Sequence, residues 1–186
     1  LLERLKLWNP KIKIINYQWD SVNNNPKALK LSVFWDVNIT FDYKDSIKYQ
    51  WEYLPLFYVP ITDKYDLPKD IDILFVGTYQ QQRFIYLEKI KSKLLANNKL
   101  VYSHMYLPKI SYIKELLLNK YKSALKYIKC YQLSREEYHR LLMRSKAVLD
   151  IPHYQQSGMT IRTFETLAAG VKLITSNRLI CDSDCY

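Results

Sequence analysis

The sequence predicts an α/β protein of two doubly wound lobes with parallel sheets, the N-terminal lobe only partly present. Three observations predict it. Short apolar runs rich in strand formers alternate with stretches of helical period along the chain. Residues 146–177, KAVLDIPHYQQSGMTIRTFETLAAGVKLITSN, read as strand, loop, helix, glycine and strand, the order of a parallel crossover. Pro60 and Pro68 mark a linker between two such series, dividing the chain into residues 1–60 and 61–186.

In the first lobe, residues 11–17 (KIKIINY) have the pattern of a strand, and 18–26 (QWDSVNNNP) that of a polar loop at its carboxyl end. A short helix is expected over 28–34 and a strand over 37–41. Asp42 can cap a helix through Ile47, because its carboxylate can take free N–H groups of the first turn. Residues 53–58 (YLPLFY) run extended around Pro55. Strand–helix–strand–helix without a glycine-rich turn suits the later part of a doubly wound domain. Trp19 and Asp20 lie in a strand-end loop, where two readings stand: the lining of a cleft, or a packed tryptophan beside a solvated aspartate.

The second lobe opens with a buried strand, 71–76 (IDILFV), and Gly77 permits a tight turn after it. A helix over 81–96 turns Phe84, Leu87, Ile90, Leu94 and Leu95 inward. Gly77 and Thr78 at the strand-to-helix turn offer a phosphate nest, with Arg83 in the first helical turn. The plain alternative for Arg83 is a solvent-exposed helix arginine. Residues 100–104 (LVYSH) form the next strand, and 109–129 read as one long helical stretch. Its apolar positions are Ile110, Ile113, Leu117, Tyr121, Ala124 and Ile128, with lysines 109, 114, 120, 122, 126 and 129 around them. Such a helix either packs its apolar face on the core, the preferred reading, or lies on an anionic membrane surface. A short strand is expected over 128–131. Ser134 and Glu137 make a capping box opening a helix over 135–144, with Tyr138, Leu141 and Leu142 on its apolar side and His139 on the surface.

The crossover carries the chemistry. A strand over 147–151 is stopped by Pro152, and a polar loop runs over 153–158. Thr160 caps a helix over 161–169, Gly170 takes the C-cap position that tolerates positive φ, and 171–175 is a second buried strand. Ligands of such sheets bind at the carboxyl ends of the strands. Ser157, Gly158, Met159 and Thr160 set N–H groups and a helix dipole beside that end, which suits a phosphate. Arg162 adds a permanent charge able to bind phosphate bidentately, and Glu165, about one turn on, can accept from sugar hydroxyls. His153 follows the strand-ending proline; it either binds a phosphate oxygen or sugar hydroxyl, or is a plain loop residue. These are the needs of a nucleoside diphosphate sugar. The alternative is an ordinary crossover with a capped helix and a surface Arg–Glu pair.

SGMTIRTFETLAAGVKLITSN resembles the donor-binding segment of GT-B glycosyltransferases, in particular the CgeB-like group and its relatives in bacterial polysaccharide and lipopolysaccharide biosynthesis. The resemblance extends to YQWDS (17–21), ITFDYKDSIKY (39–49), YLPLFY (53–58) and DILFVGTYQQQR (72–83), so it covers nearly the whole chain. It implies a GT-B-like architecture of two Rossmann-like lobes. Residues 1–60 would close an acceptor-side lobe, and 61–186 would form the donor lobe, truncated at its C-terminus. The implied activity moves a sugar from a nucleotide-diphosphate donor to a lipid-linked or polysaccharide acceptor in lipopolysaccharide or capsule biosynthesis. The implied donor-binding residues are Gly77, Thr78, Arg83, His153, Ser157, Gly158, Met159, Thr160, Arg162 and Glu165, with Arg83 on the diphosphate and Glu165 on the ribose.

The leaving diphosphate gathers negative charge, which Arg83, Arg162 and the helix N-terminus can stabilise without a metal or a cofactor beyond the donor. No Asp-x-Asp follows a strand; Asp182 and Asp184 sit in the tail. Many retaining members carry a pair of glutamates, and Ser157 stands where the first would fall, which puts retention in doubt. The catalytic base is unassigned.

A net charge of +10 over 186 residues favours anionic partners. Scattered basic residues, and aromatics on apolar strands, speak against nucleic acid. A hydrophobic content of 48% is ordinary for a globular protein and speaks against a disordered chain. No apolar run approaches the roughly 20 residues that span a bilayer, and no secretory signal is visible. Cys130, Cys181 and Cys185 are odd in number, lack metal spacing and read as reduced thiols. The expected location is the cytoplasm, or the inner face of the cytoplasmic membrane. Beginning at Leu1 and ending just after a strand, the chain is expected to be a fragment. An inactive remnant and a sugar-nucleotide epimerase of the same architecture stay open beside the transferase.

Overall fold

The computed structural model describes residues 2–60, 67–118 and 122–184. They fall into two compact units: the first joins the residues up to Tyr58 with Pro152–Phe164 and those from Ser176 on, the second Val59–Ile151 with Glu165–Thr175.

The first unit opens with a helix no pattern announced, α1 (Leu2–Trp8), tied down by Lys6 on Asp36 at 2.7 Å. β1 (Ile15–Gln18) starts later than expected. The residues before it are spent in a turn, with Ile12 N–H on Asn9 O and Ile14 N–H on the Asp36 carboxylate. α2 (Lys27–Leu31) runs on into a 3₁₀ turn, Ser32–Phe34, and β2 (Val37–Thr40) follows. α3 (Tyr43–Tyr49) is capped by Asp42, which accepts from the N–H groups of Lys44 and Asp45, as its sequence position predicts. β3 (Glu52–Tyr53) completes a parallel sheet of order β1-β2-β3. Its small core includes Val22, Ala28 and Phe41. Asp45 is buried among them; its carboxylate accepts from Val22 N–H at 2.6 Å, and burial pushes its pKa up.

The second unit contains β4 (Ile71–Thr78), α4 (Gln81–Leu95), β5 (Val101–Tyr106), α5 (Lys109–Leu118), a 3₁₀ segment (Lys122–Tyr127), β6 (Ile128–Lys129), α6 (Arg135–Met143) and β7 (Ser145–Asp150). After α7 (Ile161–Ala168), β8 (Lys172–Thr175) closes its sheet, whose order is β6-β5-β4-β7-β8 with every pairing parallel. From β4 the chain winds one way to β5 and β6, then returns past β4 to β7 and β8. The doubly wound topology therefore reverses between β4 and β7. One face is covered by Phe84 and Leu87 of α4, Ala124 of the 3₁₀ segment and Tyr112 of α5. The other carries Tyr138, Leu141 and Leu142 of α6 with Val171. Register at the amino ends is pinned by Arg144 on Asp70 and by Lys146 on Asp72 at 2.8 Å, while Asp72 also accepts from Leu100 N–H.

Four expectations are corrected. The stretch 109–129 is not one helix but α5, a 3₁₀ segment and β6; Tyr121 and Lys120 lie outside the described residues. α5 also turns the opposite way from the preferred reading. Ile110 is 85% and Leu117 78% exposed, while Tyr112 packs on the core and Glu115 accepts from Tyr79 Oη. His139 is buried, because α6 presents consecutive residues of one turn to its sheet. β8 is an edge strand rather than a buried one, leaving Ile174 exposed. The capping box of Ser134 and Glu137 is present in both directions, and Gly170 has φ +64°. Among the described residues no helix is long and apolar enough to cross a membrane.

Candidate functional site

In the first unit, the loop expected to cradle an anion is built around an internal one. Asp42 stands at the carboxyl end of β2 and is 2% exposed. Besides capping α3, its carboxylate accepts from Ser157 N–H at 2.6 Å, Ser157 Oγ–H at 2.5 Å and Gly158 N–H at 3.2 Å. Ser157 Oγ in turn accepts from Lys44 N–H at 3.0 Å. A buried carboxylate must be met by donors, and this loop supplies them.

The opposite edge of the loop is held too, because Asn177 Nδ2 donates to the carbonyls of Ser157 and Gly158 at 3.1 and 2.9 Å. Asn177 also caps the 3₁₀ turn Arg178–Asp182. A Cβ on Gly158 would stand 2.5 Å from Phe41 O and 2.6 Å from the Phe41 ring, so the loop backbone lies directly on that residue. The amides of Ser157 and Gly158, expected to face a phosphate, are thus spent on Asp42. Sequence reading missed Asp42 and Asn177 in this role. The signal was present only as a capping aspartate and an asparagine after a strand.

The other residues of that segment are arranged as follows. Met159 is buried, and Thr160 Oγ accepts from Thr163 N–H at 3.4 Å at the head of α7. Arg162 is half-buried in the first turn. His153 is half-buried, its Nδ1 accepting from Gln155 N–H at 3.2 Å and its ring stacked on Tyr154. Asp20, exposed just after β1, accepts from Asn24 Nδ2 and Gln156 Nε2. Trp19 is exposed and meets Tyr17 and Phe57 edge to face.

In the second unit, Arg83 lies across the point where the topology reverses. Its Nε donates to Ile151 O, just past β7, at 2.8 Å. Its Nη1 donates to Thr78 Oγ1 at 3.0 Å and Thr78 O at 3.3 Å, at the end of β4. The first turn of α4 thereby fixes a permanent positive charge at the carboxyl ends of the two strands flanking the switch point. It is not the freely solvated helix arginine of the plain alternative.

Gly77 is corrected: it lies inside β4, paired with Met105, and the ladder continues to Thr78 opposite Tyr106. Its φ is not left-handed, so no tight turn depends on it. Thr78 is exposed at the strand end, and Glu165 is half-buried in α7. Among the described residues no group of three or more His, Cys, Asp or Glu side chains is arranged to hold a metal ion. Cys130 and Cys181 are free thiols; Cys185 lies outside the described residues. No family model matches the chain, and no curated protein matches it.

Proposed function

We propose that this chain is a GT-B-type glycosyltransferase that moves a sugar from a nucleotide-diphosphate donor to a lipid-linked or polysaccharide acceptor of the cell envelope. The observation that carries the reading is Arg83, held by Thr78 and Ile151 at the switch point of a five-stranded parallel sheet. Ligands of doubly wound sheets bind at such points, and a fixed guanidinium there suits a diphosphate. Because two of its bonds go to backbone carbonyls, its position is set before any ligand arrives, which lowers the ordering cost of binding.

In such a reaction the donor's sugar–phosphate bond breaks and the nucleotide diphosphate leaves with the electron pair. Arg83 is the group we assign to that growing charge. Glu165 is assigned to ribose hydroxyls, which a carboxylate accepts from well.

Calorimetry of UDP and GDP, followed by assay of sugar release from the corresponding nucleotide sugars, tests this. Binding of at least one nucleotide, weakened about tenfold or more in Arg83→Lys with the fold intact, is the expected result. A folded chain that binds neither nucleotide would end the reading.

A further inference from the structure

We propose that α5 is an interfacial anchor that lays the second unit on an anionic lipid surface. At 100° per residue, Ile110, Ile113 and Leu117 share one stripe of the helix, with Leu116 at its border. All four are exposed, Ile110 by 85% and Leu117 by 78%. The reverse side of the helix is already used, by Tyr112 on the core and Glu115 on Tyr79 Oη at 3.1 Å. The stripe therefore cannot roll inward without breaking that packing.

Charge identifies the occupant. Residues 81–130 hold eleven of the chain's 28 basic residues and only two of its 18 acidic ones, Glu88 and Glu115, so +9 of the net +10 lies here. Lys109 and Lys114 flank the stripe on α5 itself. On the same face of the sheet, Lys91 of α4 and Lys126 of the 3₁₀ segment both lie over the Tyr127 ring, at 4.1 and 4.8 Å from its centre. Aliphatic side chains flanked by lysines match the boundary of an anionic bilayer, where alkyl groups enter the acyl region and ammonium groups meet phosphates. A nucleic acid would use the lysines but would not need four exposed aliphatic residues. The helix is ten residues long, so it lies in the interface rather than crossing it.

The inference is independent of the transferase reading, because no nucleotide enters its test. The chain is sedimented with vesicles of phosphatidylcholine alone, and with vesicles containing about one third phosphatidylglycerol. Expected is binding to the anionic vesicles only, falling severalfold between low and physiological salt. Ile110→Ser with Leu117→Ser should lower the partition coefficient at least about tenfold, since each deleted side chain removes apolar burial. Lys109→Gln with Lys114→Gln should lower it severalfold. Both pairs lie on the surface and should unfold at the parent temperature. Failure to bind anionic vesicles, equal binding to both vesicles, or binding unchanged by the serine pair would overturn the proposal. So would capture of single-stranded RNA with no capture of vesicles.

Discussion

Asp42 and Ser157, 115 positions apart, are joined twice, by Ser157 N–H at 2.6 Å and Ser157 Oγ–H at 2.5 Å on one carboxylate. With Gly158 N–H and the two amides of α3, that carboxylate accepts from five donors while 2% exposed. A segment late in the sequence is thereby made part of the core of the first unit.

Asp42→Asn should consequently be severe, although it is nearly isosteric. One oxygen becomes an NH₂ group facing other donors, and buried donors are left without an acceptor. We expect a loss of about 2–4 kcal/mol in urea unfolding. A loss under about 1 kcal/mol would show that the loop is held by other means.

Two glycines separate close approach from mere occupancy. Gly158→Ala places a methyl 2.5 Å from Phe41 O, a backbone atom that cannot rotate away, and should cost about 1–3 kcal/mol or more. At Gly77 the nearest atom, Phe75 Cζ, is 3.4 Å away and φ is not left-handed. Gly77→Ala should be neutral, or stabilising by up to about 1 kcal/mol through the unfolded chain. Thermal melts of the two variants, measured side by side, decide it; equal destabilisation would refute the distinction.

On α7, Arg162→Ala should weaken UDP or GDP binding more than it weakens folding, by about 1.5–3 kcal/mol of charge-assisted bonding. Glu165→Gln should weaken the ribonucleotide while leaving the already weak 2′-deoxy form nearly unchanged. Calorimetry showing equal losses for both sugars would leave Glu165 a structural residue.

His104 predicts an acid-side loss of stability. Its Nε2 lies 3.1 Å from Tyr131 O, which only accepts, so Nε2 carries the proton and Nδ1 is the bare nitrogen. Among the described residues Nδ1 is buried without a partner, and burial holds the pKa below the ordinary histidine range. Below about pH 6.5 the unfolded chain takes up a proton that the folded chain refuses. Stability is thus fully present above that pH and is lost as pH falls toward the lower folded-state value. In His104→Gln, which can still donate to Tyr131 O, the decline of the urea midpoint across this window should be shallower. An unchanged slope would exclude His104 as its source.

Several local signals sufficed by themselves. Apolar runs placed β4, β5 and β7, Ser134 and Glu137 announced the head of α6, Asp42 that of α3, and Gly170 the end of α7. Each depends on residues within a few positions, where period and hydrogen-bond reach decide the conformation. Direction and partnership were decided only by the tertiary structure. The period of α5 shows that Ile110, Ile113 and Leu117 share a stripe, but Tyr112 and Glu115 on the opposite side set which way it faces. The donors after β7 are visible as Ser157 and Gly158, but their acceptor, Asp42, lies 115 positions from Ser157. Such a pairing leaves no periodic trace, because a hydrogen bond depends on where the folded chain brings two groups and not on how far apart they are written.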